Sequence, residues 1–199
     1  MTSAAVATPE EVCTFWVDEV GPEGWYKKSD ALDRTIRERF MATWEAARDG
    51  HLFRWNGTTP GCLALLIVLD QFPRNMFRDD GRAYSTDGAA RAVSRCALTR
   101  GRDMEVDIPA RQFFYMPWMH AESLENQARS VRMFLMHMPG SDNVLHARAH
   151  RDIIRAFGRF PHRNDELGRQ STPAERAYMD EGGYGAVLRR LKNGAASAA

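Results

Sequence analysis

From Ser29 to Asp49 the apolar residues Leu32, Ile36, Phe40, Trp44 and Ala47 recur at steps of four and three. Charges fill the other faces, and Gly50 follows where a helix should stop. That spacing predicts an amphipathic helix with both its ends marked. Thr86–Arg100 repeats the pattern through Ala89, Val93 and Ala97, with Gly101 as terminator. Glu122–Met138 carries Leu124, Ala128, Val131 and Leu135 and stops before Pro139-Gly140. Ser141–Phe157 carries Val144, Ala147, Ile154 and Phe157 and stops at Gly158. The apolar run Leu63–Leu69 has strand-like content, but it enters through Thr59-Pro60 and has no alternating partner run, which favours a buried helix. Leu65, Leu66, Val68 and Leu69 are therefore expected in the core.

Punctuation supports the same picture. Thr-Pro occurs at Thr8-Pro9, Thr59-Pro60 and Thr172-Pro173, each placing a capping hydroxyl before a proline suited to the first helical turn. Glu11 and Glu175 complete capping boxes at two of them. No turn dipeptide joins two alternating runs; Asn56-Gly57 reads as a loop before a helix. The expectation is an all-α protein of about eight helices with no sheet. It forms one domain over residues 8–192, with loose tails at 1–7 and 193–199.

Composition narrows the function classes. The 199 residues include 27 Lys and Arg against 26 Asp and Glu, a formal net charge of +1. That balance argues against a dedicated nucleic-acid binder. The longest apolar run is Cys62–Leu69, far short of the roughly 20 residues that span a bilayer, so no membrane partner is expected. The N-terminus lacks the basic and apolar stretches of a signal peptide, and Cys13, Cys62 and Cys96 form no disulfide framework or zinc pattern. The cytoplasm is the expected compartment, with reduced thiols.

No HExxH, P-loop, GxGxxG or GxSxG string is present. No cofactor and no tightly bound metal are expected. What remains is polar residues beside apolar ones. Asp70 directly follows the Leu63–Leu69 run, and Arg74 lies one turn on; they can form a structural ion pair or read a ligand. His120 sits among large apolar residues and is followed by Glu122, Glu125 and Gln127. Glu122 and Glu125 would share a helix face, and a carboxylate beside His120 would make an acid–base pair. Glu122 as a helix-start residue favoured by the dipole is the plainer alternative. His146 and His150 stand one turn apart, a metal-ligand spacing that core or solvated histidines also show.

Gln71-Phe72-Pro73-Arg74-Asn75 and Arg159-Phe160-Pro161-His162-Arg163-Asn164 echo one another. Each is expected to close a helix and to present a guanidinium and an amide. With Met119-His120-Ala121-Glu122-Ser123, Gln127, Leu167-Gly168-Arg169, Ser171-Thr172 and Phe15-Trp16, these strings resemble the bacterial domain-of-unknown-function family numbered 924. The resemblance covers roughly residues 9–180, with Ala121 where Ser is more usual. It implies a tetratricopeptide-like helical fold and no particular activity. The chain itself shows no tetratricopeptide consensus.

Two readings of function follow. In the first, the chain is a binding module for a peptide, a protein or a small anionic ligand. The two Phe-Pro loops and the His120–Glu122 segment would meet around one polar cleft of Asp70, Arg74, Asn75, Glu125, Gln127, His162, Arg163 and Asn164. Protonated histidines would strengthen an anion site below about pH 6.5. In the second, His120 and Glu122 are catalytic acid–base residues and the arginines anchor an anionic substrate.

Overall fold

The computed structural model describes residues 5–196, with side chains as far as Gly194. Every regular element among them is helical, and none is a strand. The chain divides into two compact units between Pro117 and Trp118, within the single turn α7, Met116–Met119.

The first unit opens with α1 (Pro9–Cys13), capped by the Thr8 hydroxyl and the Glu11 carboxylate acting as a capping box. A π-helical turn, Thr14–Val20, and the short α2 (Gly21–Gly24) follow and bury Phe15 and Trp16. Helix α3 (Asp30–Arg48) begins at Ser29, whose hydroxyl accepts the Leu32 N–H at 3.3 Å. Ile36, Phe40, Trp44 and Ala47 of the predicted stripe are buried, while Leu32 at its start is half-buried. Phe40 packs at a tilt against Phe15 and Phe72 with ring centroids 4.9 and 4.8 Å apart, the centre of an aromatic core.

Helix α4 (Thr59–Leu66) starts one residue earlier than the Thr59-Pro60 signal suggests. Thr58 is the cap, accepting the Gly61 N–H at 3.1 Å, and Pro60 lies inside the first turn. Gly61 is required here, since a Cβ at this position would stand 2.1 Å from the Trp55 carbonyl oxygen. Leu65, Leu66, Val68 and Leu69 are all buried, as expected.

The Phe72-Pro73 string does not close this helix. The chain continues as a π-helical turn, Ile67–Gln71, and then as α5 (Phe72–Met76). The π-turn lets the Phe72 N–H reach back to the Ile67 carbonyl. Pro73 has no N–H, so the Leu69 carbonyl loses its usual helical donor. The Thr86 hydroxyl replaces it, donating to Leu69 O at 2.6 Å. Helix α6 (Asp87–Thr99) follows and stops before left-handed Gly101, and the 3₁₀ turns Arg102–Glu105 and Ala110–Phe114 complete the unit.

The second unit contains α8 (Leu124–His137), α9 (Asn143–Phe157), α10 (Pro173–Asp180) and α11 (Gly183–Ala196). Helix α9 packs on both α8 and α11. Ala149, Ile153, Ile154, Phe160 and Val187 form its core, flanked by Phe157, Tyr178, Tyr184, Leu188 and Leu191. Helix α8 begins later than Glu122. Ser123 is extended and takes the Asn126 N–H, so Glu122 lies before the cap and shares no helix face with Glu125. Thr172 and Glu175 form the predicted capping box of α10.

The expected tails are shorter than read. Helix α11 continues past Lys192 to Ala196, and the Ala7 N–H donates to the Thr43 hydroxyl at 2.9 Å. Residues 1–4 and 197–199 of those tails lie outside the described residues.

Candidate functional site

The expected site residues divide between the units. Asp70, Arg74 and Asn75 belong to the first; His120, Glu122, Glu125, Gln127, His162, Arg163 and Asn164 belong to the second.

In the first unit, Asp70 is 1% exposed. It accepts the Gln71 amide at 2.5 Å and pairs with Arg74 at 3.5 Å. Arg74 also donates to the Asp70 carbonyl and to Asp87, the latter at 2.9 Å. Burial works against charge on this guanidinium, but Asp87 and Asp70 outweigh it and raise its pKa. Asn75 donates to Asp33 at 2.8 Å, and Arg78 grips the same carboxylate with two donors. These contacts tie α5 to α3 and to the start of α6 as ion-pair braces. Asp33 was legible in principle: it stands three residues before Ile36 and seven before Phe40, on the apolar stripe of α3. A carboxylate there must be buried and paired.

In the second unit, Gln127 is fully buried on α8 and donates to both carbonyls that flank His120, Met119 O at 2.6 Å and Ala121 O at 2.8 Å. It therefore fixes the backbone that carries His120. Glu125 is exposed in the first turn of the same helix.

Glu122 braces a different loop. Its Oε1 accepts the Phe160 N–H at 2.8 Å and Arg169 Nη2 at 3.0 Å, and its Oε2 accepts Arg169 Nη1 at 2.7 Å. Burial opposes ionisation of this carboxyl, but the Arg169 fork and the Phe160 N–H prevail and hold its pKa below the ordinary value. Both oxygens are engaged in an ionised brace, an arrangement poorly suited to donating a proton near neutral pH.

The histidines gather within this unit. His150 lies 6.2 Å from His120 and 5.0 Å from Tyr184, ring to ring, and meets Phe160 edge-on at 5.4 Å. Its Nδ1 donates to the His146 carbonyl at 2.9 Å, which fixes the tautomer. Burial, and then the neighbours His120, Arg163 and His162, push its pKa down to about 3 despite that bond. His146 shares a short hydrogen bond with the Tyr184 hydroxyl, and burial lowers its pKa too. The i, i+4 pair is thus built into helix packing. Among the described residues, no group of three or more His, Cys, Asp or Glu could hold a metal ion.

Arg163 is buried with its guanidinium 4.6 Å above the Phe160 ring. Asn164 is buried and donates to the Ser171 hydroxyl at 3.0 Å. His162 points outward instead, and with Asp165, Arg169, Ser171, Arg176 and Asp180 it lines an open groove of about 600 Å³. Arg159 grips Glu175 of α10 at 2.6 and 2.8 Å. That fork and the Thr172 N–H draw the Glu175 pKa down to about 2. Arg176 and Asp180 escaped the sequence reading. Their signal was a cation and a carboxylate four residues apart on α10, a helix whose described faces are mostly exposed.

No helix among the described residues is long and apolar enough to cross a membrane. No curated protein matches the chain. A solved structure described as a protein of unknown function, ATU0120 from Agrobacterium tumefaciens, is similar to it. The two share 40% identity over 87% of this chain and 97% of that one, with a TM-score of 0.84. The model of a family of bacterial proteins of unknown function, DUF924, matches residues 12–183. With that match over most of its length, and 40% identity to a solved structure on the same helical frame, the chain belongs to the DUF924 family.

Proposed function

We propose that the chain is a helical binding module and that the groove between residues 161–171 and α10 receives a peptide segment of mixed charge. The observation that carries this is the lining itself. Arg169, Arg176 and His162 stand with Asp165 and Asp180 beside Pro161 and Met179, around an open groove of about 600 Å³. Both charge signs next to apolar surface suit a polypeptide with alternating side chains. The two carboxylates weigh against a small anion as its occupant. The packing of α9 against α8 and α11 supports a tetratricopeptide-like stacking of helix pairs. A near-neutral chain with three free thiols supports a cytoplasmic protein whose partner is neither nucleic acid nor membrane.

The runner-up, an acid–base enzyme built on His120 and Glu122, has the Arg169 fork on Glu122 against it. Selection of a phage-displayed random peptide library on the immobilised full-length protein tests the proposal. Enriched peptides should bind Arg176→Glu and Asp180→Arg at least tenfold more weakly, in opposite dependence on peptide charge. Failure to enrich any peptide, or binding indifferent to both reversals, would refute it.

A further inference from the structure

The first unit holds two thiols at the edges of two similar cavities with opposite electrostatics. Cys96 lines a cavity of about 450 Å³ together with Phe53, Arg54, Asn56, Val93 and Arg100. Two guanidiniums and no carboxylate are in that lining. Cys13 lines a cavity of about 410 Å³ whose charged residues are Glu10, Asp18 and Asp107. Cys62 is fully buried between them in sequence, with its sulfur 3.7 Å from the Asn56 carbonyl oxygen and 3.5 Å from Arg102 Nη1.

Helix α6 builds the reactive side of the first cavity. Cys96 and Arg100 are one turn apart, and Arg100 Nη1 donates to the Cys96 sulfur at 2.8 Å. The sulfur is thereby oriented by a cation. The opposite wall is the 3₁₀ turn Phe53–Gly57, which brings Arg54 and the exposed ring of Phe53. A ligand with an apolar stem and a carboxylate would find a surface for each part, and the carboxylate would meet Arg54.

We propose that this cavity is an anion-directed thiol site, at which Cys96 exchanges with the disulfide of an anionic low-molecular-weight thiol. In the step, Cys96 gives its S–H proton to water and its sulfur bonds to one sulfur of the incoming disulfide. The original S–S bond breaks, and the second sulfur leaves as a thiolate that takes a proton from water. One disulfide replaces another, so no separate oxidant is consumed.

The Cys13 cavity is the internal control, since its carboxylates repel the same reagent. Its sulfur donates to the Pro60 carbonyl at 3.6 Å, and burial, then Glu10 and Asp18, push the Cys13 pKa up to about 12. The test uses the full-length protein and two probes, oxidised glutathione (anionic) and cystamine (cationic), with sites and rates read by peptide mass mapping. Cys96 should react with oxidised glutathione at least tenfold faster than Cys13. Its glutathione-to-cystamine rate ratio should fall three- to tenfold in Arg54→Gln, a change in the cavity lining that leaves the Arg100 contact to the sulfur in place. High salt should compress the ratio of the native protein in the same way. Circular dichroism confirms that the variant folds. Equal rates at Cys96 and Cys13, or a ratio unchanged by both Arg54→Gln and salt, would overturn the proposal.

Discussion

Acidification from pH 7.5 to pH 5.0 should destabilise the second unit through His150. In the unfolded chain this imidazole takes a proton near pH 6.5. In the folded unit it does not do so until about pH 3, because burial among Phe160, Tyr184 and His120 disfavours the charge and Arg163 and His162 repel it. Between those two values the unfolded state binds more protons than the folded state, so stability is lost as pH falls through 6.5. Each pH unit in that window is worth about 1.4 kcal/mol, so about 2 kcal/mol is lost by pH 5.0. His146 adds a loss of the same sign, since burial lowers its pKa against the pull of Asp142. Comparing the native protein with His150→Gln cancels His146 and the carboxylates, which titrate in both. Urea unfolding at pH 7.5 and 5.0 should show the native protein losing about 2 kcal/mol more than the variant. A direct proton NMR titration of His150 provides the second readout and needs no variant. Equal pH slopes in the two proteins, or a His150 titration near pH 6.5, would refute the reasoning.

Three further outcomes follow from the packing. Leu66→Ala removes a fully buried side chain from α4 and should cost roughly 2–5 kcal/mol in urea unfolding; a loss under about 0.5 kcal/mol would place the segment at the periphery. Gly61→Ala drives a methyl against the Trp55 carbonyl oxygen and should cost about 1–3 kcal/mol, most of it visible as a lowered Tm. Glu122→Gln keeps the shape but removes the charge facing Arg169, and should lose about 1–3 kcal/mol at pH 7; because the Arg169 fork holds this carboxyl below its ordinary range, the difference should shrink only as acid finally protonates it.

The fold was legible where one physical signal dominated. The apolar stripe of α3 and its Ser29 cap needed only helical spacing and a hydroxyl. The capping boxes at Thr8 and Thr172 needed only a Glu three residues on. The reading failed where a local signal had a tertiary answer. Pro73 reads as a helix exit because it lacks an N–H, yet the Thr86 hydroxyl, distant in sequence, satisfies the carbonyl it leaves open. Ser123 outcompeted Glu122 for the start of α8 because a side-chain oxygen on an extended residue can cap and a carboxylate one residue earlier cannot. The site was less legible still. Asp70, Arg74 and Glu122 stand out because charge beside apolar sequence is conspicuous, and the Asp70–Arg74 pair follows from their spacing, but Asp87, which Arg74 also grips, and Arg169, which grips Glu122, lie in other elements that no periodicity connects to them.

That conspicuousness has a cost behind it. A charge beside a buried helix must be paired, so the strings by which the chain is most readily recognised are the ones the fold itself constrains. Asp70, Arg74 and Asn75 bind α5 to its neighbours, and Glu122 with Arg169 binds residue 122 to the turn after Gly158. Removing any of them strands its partner, whatever the protein binds. Residues whose placement folding does not require are the better guides to activity. Arg176 and Asp180 stand exposed on α10 around a groove, and Arg54 stands exposed across a cavity from Cys96. None of the three fills a core position. Their charges can be reversed or neutralised with little effect on stability, of the order of 0.5 kcal/mol for an exposed site. Loss of peptide binding or of thiol selectivity at unchanged stability would therefore separate ligand recognition from bracing, a separation that substitutions at Asp70 or Glu122 cannot make.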